Sequence, residues 1–133
     1  MAHLRCVVAV LACSFALVPA DGHSQGSDWT IPSDAAQLTS PAAPGQATLK
    51  KGLGLFKSNC EKCHGPQGKG DGRYADPNRP PANLTESLAS ENPDGVLFYK
   101  IWNGKKPMPA FKSVMTRDDV WAVVEYTKSL RKP

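Results

Sequence analysis

The 133-residue chain lacks an apolar run long enough to cross a bilayer as a helix. Its longest, Cys6 to Val18, is broken only by Ser14 and falls short of the ~20 residues needed. It also lacks any run of five or more basic residues. Lys and Arg come singly or in pairs such as Lys50-Lys51 and Lys105-Lys106, with no aromatic interleaving and no recognition-helix pattern. That excludes nucleic acid as a partner. Four cysteines are too few for a disulfide-dense scaffold. No stretch alternates apolar and polar residues over the length of a strand, so nothing in the pattern asks for a sheet. Residues 1–20 have no acid and residues 21–49 have no Lys or Arg. The basic excess therefore sits in residues 50–133, with fifteen basic against nine acidic side chains. A basic body of this kind suits anionic surfaces, acidic proteins among them.

What is present divides the chain in three. Residues 1–20 carry a basic start (Arg5), an apolar stretch and Val18-Pro19-Ala20, with small residues at −3 and −1 of a cleavage site. This is a secretory signal peptide pattern, which predicts export to a periplasm. An uncleaved anchor, or lipid attachment at Cys13 after Val10-Leu11-Ala12, are the alternatives. Residues 21–47, rich in Ser, Ala, Pro and Gln, read as an extended leader or linker, with Trp29-Thr30-Ile31 apolar enough to dock as a strap. Residues 48–133 form the body.

The body reads as all-α with long loops. A first helix is predicted from Gln46 or Thr48 to Ser58, with Leu49, Leu53 and Phe56 on one face and Gly52 and Gly54 weakening it. A Gly-rich loop follows residue 64, and Pro77, Pro80 and Pro81 keep residues 73–83 out of regular helix. A short helix is expected after Thr85. Asn92-Pro93-Asp94 predicts the next helix, with Asn92 as cap and Pro93 in the first position, running to Trp102 and stopping at Gly104. Thr116 caps the last one, whose buried stripe is Val120, Val123, Val124, Thr127 and Leu130. A body this small buries little apolar surface alone and gains from a large apolar prosthetic group.

Cys60-Glu-Lys-Cys63-His64 carries the chemistry. Cys-x-x-Cys-His is the pattern of covalent c-type haem attachment. Two thiols three residues apart reach the two vinyl groups along one haem edge, and the histidine that follows is held under the iron. A thioredoxin-like pair would need a βαβ setting, which is missing. A zinc site is disfavoured because the exported chain has no second Cys pair and only His23 besides His64. The second axial ligand follows by elimination among His23, Met108 and Met115. His23 lies in the leader. Met115 directly precedes the cap of the last helix and reads as core filling. Met108 stands between Pro107 and Pro109, which stiffen its loop and lower the ordering cost of presenting a thioether to a metal.

Cys60-Glu-Lys-Cys63-His64 with Gly-Pro-x-Gly, Met108-Pro-Ala-Phe111 and Val120-Trp-Ala-Val-Val-Glu-Tyr126 resembles a single-haem class I cytochrome c over about residues 48–131. The resemblance implies a cytochrome c-like fold of three to five helices with long loops wrapped round one covalent haem c. It implies His64 and Met108 as axial ligands, one-electron transfer in a respiratory chain and no catalysis. It also implies that the first and last helices cross, Gly52 and Phe56 meeting Trp121 or Tyr126. A proline carbonyl, Pro80 or Pro81, would accept the free N–H of His64. Arg73, Tyr74, Arg79, Asn83 and Trp102 are candidate donors to the propionates. Lys62, Lys69, Lys105, Lys106 and Lys112 flank the expected haem edge and would steer the protein onto acidic docking surfaces of redox partners, membrane complexes among them as transient partners. Three roles stay open: a free electron shuttle, a dedicated haem subunit of a larger dehydrogenase, oxidase or reductase, and a ligand-binding haem if Met108 does not coordinate.

Overall fold

The computed structural model describes residues 29–86 and 92–131. Among them are five helices: α1 (Ser33–Ala36), α2 (Gln46–Asn59), α3 (Glu61–His64), α4 (Asp94–Asn103) and α5 (Arg117–Ser129). No strand occurs among the described residues. Only the isolated bridges Asp76–Arg79 and Lys105–Met108 pair backbone in that way. The short helix expected after Thr85 and the signal peptide lie outside the described residues. None of the described helices is long and apolar enough to cross a membrane.

The core is built where α2 and α4 meet α5. Phe56, Leu97, Phe98, Ile101, Phe111, Met115, Val120, Trp121, Val123 and Val124 form one buried cluster. The crossing of α2 and α5 is made possible by Gly52. A side chain there would fall on the Ala122 carbonyl oxygen and the Tyr126 Cβ. One turn on, the Phe56 and Tyr126 rings lie 5.2 Å apart and tilted. The expected contact of Gly52 and Phe56 with the last helix is thus made through Tyr126, with Ala122 in place of Trp121. Trp121 turns to α4 instead, its ring 4.3 Å from that of Phe98.

Both long helices keep their sequence-predicted bounds closely, and α5 begins on a capping box. Thr116 Oγ1 accepts the Asp119 N–H at 3.2 Å, and Asp119 accepts the Thr116 N–H at 2.9 Å. The start of α4 differs from expectation by one residue. Pro93, not Asn92, is the cap. Its ψ of 169° is extended, and its carbonyl accepts the Leu97 N–H at 3.0 Å. The Asn92 side chain accepts from Lys100 Nζ at 2.6 Å rather than from the helix end. Asp94 becomes the first helical residue, where a negative charge complements the helix dipole.

Residues 29–45 were expected to be extended. They contain α1, which lies across α4 at Gly95, where a side chain would strike the Ala35 and Leu38 backbone. Asp94 accepts the Ser40 N–H at 3.0 Å and pairs with Lys128 at 2.8 Å, so one carboxylate ties this segment to both α4 and α5.

Candidate haem-binding site

Cys60 closes α2 and opens α3. Its carbonyl accepts the N–H groups of Cys63 and His64 at 3.1 and 2.9 Å. One helical turn therefore holds both sulfurs and the imidazole. Both thiols are free. Burial, and then the nearby Cys63, push the Cys60 thiol up to about 12 against the opposing pull of Lys62, so it stays S–H at neutral pH.

The Gly-rich loop folds back on this turn. Gly65, Gly68 and Gly70 have φ of 80°, 75° and 80°, a region closed to most side chains. That lets the Gly70 N–H reach the His64 carbonyl at 2.8 Å and the Gly72 N–H reach that of Cys63 at 3.0 Å. The Leu84 N–H in turn reaches the Gly68 carbonyl at 2.7 Å, bringing residues 81–84 alongside. There His64 Nδ1 lies 3.1 Å from the Ala82 carbonyl oxygen. A carbonyl only accepts, so Nδ1 carries the hydrogen and Nε2 keeps its lone pair. Burial lowers the pKa of His64, with the Ala82 bond opposing, which also favours the neutral ring. The acceptor expected at Pro80 or Pro81 is therefore Ala82. The Pro81 carbonyl is turned toward Gly70, close enough that a side chain at Gly70 would strike it, which leaves the next carbonyl for His64.

Met108 arrives from the other side of the sequence. Gly104, at φ 60°, ends α4, and the loop returns so that the Phe111 and Lys112 N–H groups reach the Ile101 and Trp102 carbonyls, each at 3.2 Å. Met108 is half-buried and packs against the cluster that contains Cys60. Met115 is inside that cluster, 6% exposed. The two methionines are thus sorted by burial: one is core, the other lines its edge. His23 lies outside the described residues.

The candidate propionate donors have different partners. Asn83 accepts from the N–H and hydroxyl of Thr85. Trp102 stacks on Phe98 at 5.6 Å, with the Arg117 guanidinium 4.7 Å from the Phe98 ring. Arg73 lies over the ring of exposed Tyr74, and Arg79 is exposed. Sequence reasoning missed Ala82 and Arg117. A backbone carbonyl leaves no mark in residue type, and the approach of Arg117 to the Phe98 and Trp102 rings joins two helices that no local pattern pairs.

The residues fit a covalently held haem. Two free thiols stand one helical turn apart, and beside them is an imidazole whose Nδ1 is anchored and whose Nε2 keeps its lone pair. Among the described residues, no three His, Cys, Asp or Glu side chains gather to hold a bare metal ion.

Comparison with known proteins decides the family. The family model described as cytochrome c oxidase, cbb3-type, subunit III matches residues 47–126, a span that holds both cysteines, His64 and Met108. The chain belongs to this family of class I cytochromes c. Such membership carries covalent haem c and haem-based electron transfer. This cytochrome is 31% identical over 82 residues to cytochrome c6 of Euglena gracilis, covering 56% of the chain and 84% of that relative. Among solved structures it resembles a chain of the Kuenenia stuttgartiensis reducing HAO-like protein complex Kustc0457/Kustc0458. The TM-score is 0.58 at 27% identity, over 69% of this chain and 47% of that one. It thus spans about half the length of that neighbour. The KustC0563 c-type cytochrome shares the fold, with a TM-score of 0.50 at 21% identity, over 61% of this chain and 98% of the other.

Proposed function

We propose that this cytochrome is an exported one-electron carrier of the periplasm with a single haem. Cys60 and Cys63 bind it as thioethers, and His64 Nε2 and the Met108 thioether are its axial ligands. The observation that carries the reading is the His64–Ala82 bond at 3.1 Å, which anchors the imidazole through Nδ1 and leaves Nε2 its lone pair. What a bound haem supplies is an iron that cycles between ferrous and ferric states. The protein's residues do the rest. The Cys60–His64 turn would hold the two points of attachment, and the buried cluster that joins Phe111, Leu97 and Ile101 to Cys60 would keep water from that side. With both axial positions taken by the chain, no substrate reaches the metal and bond-making catalysis is disfavoured. The exposed Lys62, Lys69 and Lys112 favour encounter with acidic surfaces of redox partners.

The optical spectrum tests this. Met108→Ala is expected to abolish the weak long-wavelength band of methionine-ligated ferric haem and to let carbon monoxide bind the reduced form. Met115→Ala should leave both unchanged. The opposite pattern would overturn the ligand set.

A second reading, a dedicated haem subunit, draws on the likeness to a chain of the Kuenenia complex. Size-exclusion chromatography of native extract separates the two. A carrier elutes at its monomer size, whereas a subunit co-elutes with a larger assembly.

A further inference from the structure

The segment that supplies the Ala82 carbonyl to His64 has little of its own to hold it in place. Residues 81–85 form no helix, and Asn83 closes only a local turn by accepting the Thr85 N–H at 3.0 Å. The segment is fixed by the Gly-rich loop, through the Leu84 N–H on the Gly68 carbonyl at 2.7 Å and the close approach of Pro81 to Gly70. The loop is backed in turn by the end of α5. A side chain at Gly68 would begin 2.8 Å from Leu130 Cδ1 and 3.3 Å from Leu84 Cβ, so Leu130, Gly68 and Leu84 pack with no room for a methyl between them. Both leucines also pack against the buried cluster. Leu130 is held where it stands, because its neighbours tether the end of α5. Lys128 Nζ meets Asp94 at 2.8 Å, and Arg131 Nη2 donates to the Asn92 carbonyl at 2.8 Å.

We propose that Leu130 is a positioning residue for the axial imidazole, which rests on the ligand set proposed above. Leu130 presses the Gly68 turn onto Leu84 and so keeps the Ala82 carbonyl within hydrogen-bond reach of His64 Nδ1. The links are few. His64 bonds Ala82, Leu84 bonds Gly68, and Leu130 packs on both Gly68 and Leu84. The consequence is electronic. An Nδ1–H held on a carbonyl makes Nε2 a better donor, and a better donor favours the ferric over the ferrous state of the iron it ligates. Slackening the clamp weakens the bond, makes Nε2 a poorer donor and raises the reduction potential. Lost packing by itself acts in the opposite sense, because water admitted beside the haem favours the more highly charged ferric state. The sign of the shift therefore separates positioning from mere support.

The test uses the full-length holoprotein poised in a fixed redox buffer, with the His64 Nδ1–H followed by NMR in the reduced form. Leu130→Ala is expected to raise the ratio of reduced to oxidised protein about threefold over the parent. Its Nδ1–H should exchange with solvent about tenfold faster. Leu130→Met, which keeps the volume, should return both readouts to within about twofold of the parent. Leu130→Val should shift both in the direction of Leu130→Ala by less, and it decides the matter if Leu130→Ala does not fold. Gly52→Ala disturbs the α2–α5 crossing at Ala122 and Tyr126, away from the Gly-rich loop, and should leave both readouts unchanged. A ratio that stays level or falls on truncating Leu130 overturns the proposal, as does a raised ratio with unaltered Nδ1–H exchange or an equal rise in Gly52→Ala. A parent that carries no covalent haem overturns the ligand reading and the proposal with it, whereas an unshifted Leu130→Ala in haem-bearing protein overturns the proposal alone.

Discussion

Glycine shows how differently two identical residues act two positions apart. Gly52 faces α5 so closely that a methyl would land on the Ala122 carbonyl, whereas around Gly54 nothing lies within 4 Å. Positions i and i+2 of a helix are about 200° apart, so one packed face cannot use both. Gly52→Ala is therefore expected to destabilise the holoprotein by about 1–3 kcal/mol through overpacking. Gly54→Ala should stabilise it by about 0.5–1 kcal/mol, since only the helix-propensity term changes. Urea unfolding of the two variants, compared at equal slope, measures both. At the same scale, Met115→Ala removes a core side chain and should cost about 2–5 kcal/mol with the haem spectrum retained. The sequence was legible here where the signal is local. Cys60, Cys63 and His64 announce themselves by spacing. Met108 and Met115 were sorted by their neighbours, prolines on one side and a helix cap on the other. The acceptor for His64 was not legible, because it depends on which carbonyl the consecutive residues Pro81 and Ala82 turn toward Gly70 and which toward the ring.

Among the elements, α5 was read correctly at its cap but too narrowly in its buried face, where Trp121, Ala122 and Glu125 are buried as well and Leu130 only partly, and α4 was read one residue out, for a physical reason. Thr116-x-x-Asp119 forms its capping box from groups three residues apart, so the pattern and the geometry coincide. Asn92 had the right residue type but a competing partner, Lys100, and the extended Pro93 took the cap position. The α5 cap also reaches beyond its own helix. Asp119 Oδ1 meets Lys51 of α2 at 2.7 Å while Oδ2 serves Thr116, and these contacts, Lys51 first, hold the carboxyl down at about 2 against an ordinary 3.8. A depressed folded pKa means that this contribution to stability is present above about 3.8 and is lost as pH falls through about 2. Thr116→Ala is expected to cost about 1 kcal/mol at neutral pH. Lys51→Ala should move the Asp119 titration, followed by carboxyl NMR, upward toward its ordinary value. A midpoint unmoved by the loss of Lys51 would show that the ion pair contributes nothing to it.

For the whole molecule, the segment before the helical body is the largest departure from what the sequence pattern gave. Composition marked residues 21–47 as a leader, and Trp29 as a residue that docks. Trp29 does lie against α4, with Lys100 Nζ 5.9 Å from its ring centre, but the contacts that seat the segment span long separations that no local periodicity carries. Ser40 and Asp94, for example, are 54 residues apart. The trace that was available is Gly95, a glycine in the first turn of an otherwise apolar helix, which costs propensity unless a backbone must pass close by. Gly95→Ala makes the point testable, because it strengthens α4 while removing the room for Ala35 and Leu38. The amides of Ala36, Leu38 and Ser40, bonded to Pro32, Ala35 and Asp94, should then exchange faster with deuterium. Those of Val120 to Val124 should not change, since the α2–α5 core does not depend on the segment. Burial raises the pKa of Asp94, but Lys128, the Ser40 N–H and Arg131 outweigh it and hold the carboxyl below 3.8. The latch therefore holds through neutral and mildly acidic pH and loosens only as pH falls through that lowered pKa. Faster exchange in residues 36–40 already at pH above 3.8 in the parent protein would show that Asp94 does not hold the segment. Exchange that accelerates in α5 together with it would show that the segment and the core are one cooperative unit.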